Sequence, residues 1–260
     1  TFDEMVQDVN AVSLEKIRDF HQRFYGAARG EFAAAGDLDL AGVRAALQEG
    51  FGDWNAGAPY GRVAHPFLAP VPQRQVIVTP DKQNATLMAR LPLPLSEADA
   101  DYPALSMANY LFGLGGSSRL WKRIRETEGL SYDVRSVVSW NSREQNSIWT
   151  ASAIFAPQNG AKVEKAFREE LARALKDGFT AQELSEGQRG LLNFRRLSRA
   201  QDAGIAATLA NNLDLERSYA YSQKVDDAIA KLTLAQVNAA LRKYLQPDAL
   251  TLVLAGDFKQ

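Results

Sequence analysis

Residues 111–134 read Leu-Phe-Gly-Leu-Gly-Gly-Ser-Ser-Arg-Leu-Trp-Lys-Arg-Ile-Arg-Glu-Thr-Glu-Gly-Leu-Ser-Tyr-Asp-Val. The order is a glycine-rich loop, a short basic helix, a glycine stop and the opening of a strand. Arg125 stands seven residues before Tyr132, one near the helix end and the other on the strand that follows. Such an arrangement can aim a guanidinium and a phenol at one substrate.

Outward from this stretch, strands and helices alternate. Gln75–Val78 and Ala85–Leu91 read as strands, the second ended by Pro92 and Pro94. Asp101 is placed to cap a helix carrying Leu105, Ala108 and Leu111, stopped at Gly113. Downstream, Tyr132, Val134, Ser136, Val138 and Trp140 alternate on one face of a strand. The polar run 141–146 turns it back into Ile148–Phe155. Lys162–Asp177 is an amphipathic helix with Val163, Phe167, Leu171 and Leu175 in register, ended by Gly178. Thr180 with Glu183 is a capping box opening a helix to about Arg199, and two or three further helices precede a last strand. The expected fold class is α+β: a mixed, mostly antiparallel sheet with helices on one face.

An internal repeat sets the organisation. Ser13–Asp37 and Thr233–Asp257 align without gaps at an offset of 220 residues (233 − 13). Each opens with a hydroxyl N-cap, continues at helical spacing and closes with a short apolar strand ending Ala-Gly-Asp. Residues 1–54 are therefore expected to be the closing portion of a truncated unit. Residues 55–73, rich in Gly, Pro and Ala, read as a linker, and 74–260 as a whole second unit.

Composition narrows the chemistry. The net charge of -1 over 260 residues makes no case for nucleic acid or an anionic membrane, and no run of ~18 apolar residues would span a bilayer. Without cysteine there is no thiolate chemistry or cysteine-ligated zinc. The two histidines, His21 and His65, stand 44 residues apart (65 − 21) and lack the glutamate partner a zinc site needs. With two separated histidines and no cysteine, no metal ligands are expected in this chain, and without a Gly-x-Ser-x-Gly elbow no serine nucleophile is marked. The loop Gly113–Ser118 lacks the P-loop ending. It reads either as a turn with Ser118 as N-cap or as an anion or carbonyl cradle. By spacing alone, Arg125 reads equally as a surface arginine paired with Glu128, and Tyr132 as a core-edge aromatic.

Taken together, Gly-Gly-Ser-Ser-Arg-Leu, then Arg-Glu, then Gly-Leu-Ser-Tyr resembles a signature of the pitrilysin/insulinase family of zinc metallopeptidases, which includes insulin-degrading enzymes, mitochondrial processing peptidases and bacterial relatives. The resemblance extends over the whole chain and matches the zinc-free region, a tandem-repeated domain of the processing-peptidase type. It implies a partner, an upstream domain bearing zinc on an H-x-x-E-H motif, in the same polypeptide or another subunit. Peptide substrates are enclosed between the two halves. It implies that Arg125 and Tyr132 reach the active site across from zinc, and that Gly115, Gly116, Ser117 and Ser118 contact the peptide. It further implies a periplasmic location, with the cytoplasm as the alternative. A member that has lost catalysis and serves as a structural or peptide-binding subunit is the other reading, and a phosphate-binding module on the glycine loop a third.

Overall fold

The computed structural model describes residues 1–258. The chain divides into two compact units. One comprises Thr1–Ala64 with Ala200–Ser218, the other His65–Arg199 with the chain from Tyr219 on.

The first unit is helical. It contains α1 (Phe2–Ala11), α2 (Leu14–Phe24), α3 (Leu40–Phe51) and α7 (Asp202–Asp214). Ser13 caps α2 by accepting the Lys16 N–H, as the sequence implies. His21 is a surface residue of this helix, stacked on Tyr25 at 5.1 Å and on Trp54 at 5.6 Å. The expected strand before Ala35-Gly36-Asp37 does not form: residues 31–35 have no ladder partner among the described residues. A strand exists only through its neighbour, and the apolar pattern of 31–35 finds none.

The second unit holds the sheet, formed by β1 (Arg74–Val78), β2 (Ala85–Leu93), β3 (Ser131–Ser139), β4 (Ser147–Phe155) and β5 (Thr251–Gly256). The strand order is β1-β5-β2-β4-β3. Only β1 with β5 is parallel. The repeat's second copy thus ends in a true strand, inserted between β1 and β2. Alternation puts Leu87, Leu91, Trp149, Ala153, Leu252 and Leu254 into the core. Against that face pack α4 (Tyr102–Asn109) and α5 (Gly160–Asp177), and on these helices pack α6 (Ala181–Ser198), α8 (Ala220–Ala230) and α9 (Leu234–Tyr244). This is the α+β layer the sequence implies.

Local signals placed most of these elements. Gly178, at φ 73°, ends α5; the Thr180–Glu183 and Thr233–Gln236 capping boxes open α6 and α9. Two expectations need correction. β2 does not stop at Pro92 but runs to Leu93, with Pro92 opposite Ile148. Its ladder with β5 ends at Arg90, so Pro92 lies where the strand has one neighbour and a missing N–H is tolerated. Asp101 occupies the N-cap position of α4 but makes no cap bond. Its carboxylate instead accepts from Lys243 Nζ at 2.6 Å and Tyr244 Oη at 2.9 Å, tying α4 to α9. Among the described residues no helix is long and apolar enough to cross a membrane.

Candidate functional site

The stretch 111–134 wraps one edge of the sheet. Its helical parts are wider than α: Tyr110–Leu114 and Trp121–Thr127 are π-helical turns. The Gly115 N–H reaches the Tyr110 carbonyl at 2.9 Å, and the Glu128 N–H that of Arg123 at 3.2 Å. Such turns are rare and concentrate at functional sites. Within the first, Gly113 lies on β3 so closely that a Cβ there would meet the Ser136 hydroxyl and come within 2.7 Å of its backbone nitrogen. Ser136 donates to Asn109 Oδ1 at 2.7 Å, which also accepts from Trp149 Nε1 at 2.9 Å. All three residues are buried. This network ties the end of α4 to β3 and β4, and nothing in the linear pattern announced it.

Gly129, at φ 61°, ends the second turn and feeds β3. The ladder to β4 then slips between Ser131 and Asp133, leaving Tyr132 without a cross-strand partner. The alternating face begins only at Val134. Tyr132 is not on it but 57% exposed, while Ser131 and Val134 both point inward. A bulge inserts one residue and reverses the phase of the pleat, which turns the phenol outward.

Arg125 donates from Nη1 to the Tyr132 carbonyl at 2.8 Å, and its guanidinium centre lies 4.8 Å from the Trp121 ring centroid. It does not pair with Glu128; that carboxylate is taken by Arg123. Arg125 and Tyr132 line one open cleft of about 500 Å³ together with Asn84, Glu126, Asn159 and the rim of Phe155. Among the described residues, the phenol and the other guanidinium nitrogens have no hydrogen-bond partner. The cleft thus offers a neutral O–H and a charged N–H fork, the donors that suit a peptide carbonyl or the oxyanion it becomes. A larger groove of about 1030 Å³ lies over β1 and α5, but its central charges pair with one another, Glu164 with Arg74 and Arg168.

The glycine loop stands apart from this cleft. Gly116 and Ser117 are exposed, Gly115 and Ser118 are buried, and none of the four lines it. Ser118 precedes the helical turn but its hydroxyl makes no cap bond. The loop is held instead by Arg119, half of whose fork grips Glu183 at 2.7 and 2.9 Å while one nitrogen also donates to the Gly178 carbonyl at 2.7 Å. Its plane lies over Phe179 at 4.8 Å. Arg119 belongs to the quoted signature, yet its part is structural.

This pair has a pH signature. Burial raises the Glu183 carboxyl, but the Arg119 fork and the Thr180 N–H outweigh it and hold the carboxyl at about 2. A folded value below the unfolded ~4.3 stabilises the fold above that pH, and the contribution is lost as pH falls towards 2. We expect Arg119→Ala to cost about 2 kcal/mol at pH 7 and much less near pH 2. Urea unfolding at both pH values checks it; a gap that stays constant would show that the ion pair is not its source.

Among the described residues no group of three or more His, Cys, Asp or Glu side chains could hold a metal ion. His65 donates its backbone N–H to Glu144 Oε2 at 2.7 Å, and its carbonyl accepts from Asn146 Nδ2 at 2.9 Å.

Comparison with known proteins now has a geometry to refer to. The family described as the peptidase M16 inactive domain matches residues 11–191. An uncharacterized zinc protease of Streptomyces coelicolor is 27% identical over 238 residues, which is 87% of this chain and 49% of that protein. The chain spans about half the length of the curated relatives it matches. The crystal structure of a peptidase M16 inactive domain from Pseudomonas fluorescens superposes with a TM-score of 0.77 at 24% identity, over 95% of this chain and 57% of that one. The periplasmic protease PqqL of Escherichia coli has a TM-score of 0.63 at 17% identity, over 85% of this chain and 24% of that one. The matched span contains the whole glycine-to-tyrosine stretch, and the chain belongs to the peptidase M16 inactive-domain family.

Proposed function

We propose that this domain is the non-catalytic, substrate-holding half of a zinc metalloendopeptidase acting on peptides or unfolded polypeptides. The zinc chemistry belongs to a partner domain carrying H-x-x-E-H, in the same polypeptide or a separate subunit. This chain supplies donors. The Tyr132 phenol and the Arg125 guanidinium would hold the substrate backbone beside the zinc and meet the charge that develops on the attacked carbonyl. One observation carries the reading: both side chains meet on one open cleft, and both keep donors unspent on the fold.

The exposed pair of the glycine loop, Gly116 and Ser117, offers backbone to the peptide, while Gly115 and Ser118 shape the turn. We read residues 1–54 as the closing part of one family domain and 74–260 as the next, joined by 55–73. For the compartment we propose the periplasm, as for the Escherichia coli neighbour.

Alone, this 260-residue chain should bind an unfolded polypeptide without cleaving it and retain no stoichiometric zinc after dialysis. Metal analysis and a peptidase assay decide it. Cleavage or tight zinc binding by the isolated chain would sink the division of labour.

A further inference from the structure

We propose that Trp121, itself held by Glu126, is a positioning residue that presets the Arg125 guanidinium for its contact with the peptide; the inference rests on the reading of Arg125 given above. An exposed arginine is ordinarily a mobile group, and ordering it on binding weakens the complex. Arg125 is exposed, yet it is held from two directions. Its guanidinium centre lies 4.8 Å from the Trp121 ring centroid, and Nη1 donates to the Tyr132 carbonyl at 2.8 Å. The indole is fixed in turn. It packs half-buried on the core, and its Nε1–H donates to Glu126 Oε1 at 3.1 Å.

The surrounding carboxylates show what the arrangement avoids. Two glutamates follow Arg125 in sequence, Glu126 and Glu128, and neither pairs with it. Glu128 is engaged by Arg123, and Glu126 by the indole. A carboxylate on Arg125 would spend the fork that a substrate oxygen needs. An aromatic face orients the cation without spending an N–H. Trp121 and Arg125 are four residues apart on the wide turn, and the step from Leu120 to Ile124 keeps that turn seated in the core.

The test is the affinity of the 260-residue chain for fluorescein-labelled casein, an unfolded polypeptide, read by anisotropy. Trp121→Leu is expected to weaken binding by about two- to fivefold, and Trp121→Phe, which keeps an aromatic face, to restore most of it. In an Arg125→Ala background the Trp121→Leu change should do nothing further, because the effect runs through the guanidinium. If Trp121→Leu does not fold, Glu126→Ala, an exposed change that frees the indole, takes its place. It should weaken binding about twofold in the parent and leave the Arg125→Ala chain unaffected. Equal losses in both backgrounds, or no rescue by phenylalanine, overturn the positioning role while leaving Arg125 as a peptide contact. If Arg125→Ala itself binds casein as the parent does, the reading of the cleft falls and this inference with it.

Discussion

Replacing Tyr132 by phenylalanine in the whole protein, zinc domain included, is expected to lower kcat by about 10²–10³-fold, roughly 3 kcal/mol of transition-state stabilisation. KM should move little. A neutral peptide carbonyl accepts a phenolic hydrogen bond only weakly, whereas the tetrahedral oxyanion accepts it strongly, so the loss falls on the transition state. Phenylalanine removes one oxygen that is exposed and has no partner in the fold. Stability should therefore be unchanged, and any loss of rate is chemical. Arg125→Ala should cost a similar factor and raise KM as well, since that side chain also braces the Tyr132 carbonyl. Arg125→Lys keeps the charge without the fork and should fall between. A Tyr132→Phe enzyme with the parent's kcat would remove Tyr132 from catalysis and return this domain to a purely peptide-binding or structural part.

The second large effect concerns Gly113 and is on stability. A methyl group there would press on the Ser136 hydroxyl, lie 2.7 Å from the Ser136 nitrogen and 2.9 Å from Leu120 Cδ1. Ser136 and Leu120 are both fully buried. The hydroxyl cannot swing aside without giving up Asn109, whose Oδ1 is shared with the Trp149 indole. Gly113→Ala therefore adds overpacking to a lost buried hydrogen bond, about 3 kcal/mol together. For a domain of this size that lowers Tm by roughly 6–12 °C. Ser136→Ala in the same background relieves the contact with the hydroxyl but not that with the backbone, so it should recover part of the loss. A melting curve for Gly113→Ala within a degree of the parent would show that the close approach to β3 does not constrain the loop.

These two residues show where sequence reasoning reaches and where it stops. Gly113 was read as a helix stop, but the wide turn runs through it to Leu114, and its tight contact with Ser136 joins positions 23 apart (136 − 113) and has no local signature. Tyr132 and Arg125 were singled out as a pair only through the family resemblance of the whole string; spacing alone left each with an ordinary surface reading. That the phenol turns outward was not: simple alternation put it with Val134, and the bulge at Ser131/Asp133 reversed it. Trp121 had a weak signal, its i,i+4 spacing to Arg125. Arg119 had none, because its partners Gly178 and Glu183 lie 59 and 64 residues further along the chain.

By itself the sequence determined the start of α6 and α9, the stop at Gly178, the hairpin of β3 and β4 and the α+β class. Each of these depends on a cap, a turn or a periodicity contained within a few consecutive residues. Only the tertiary structure decided that β5 inserts beside β1, that residues 31–35 form no strand, that Asp101 serves α9 rather than capping α4, and that Arg125 meets a carbonyl and an indole instead of Glu128. Each of those turns on which distant neighbour wins a shared donor, edge or face. That competition is settled by packing, and the linear order of residues does not record its outcome.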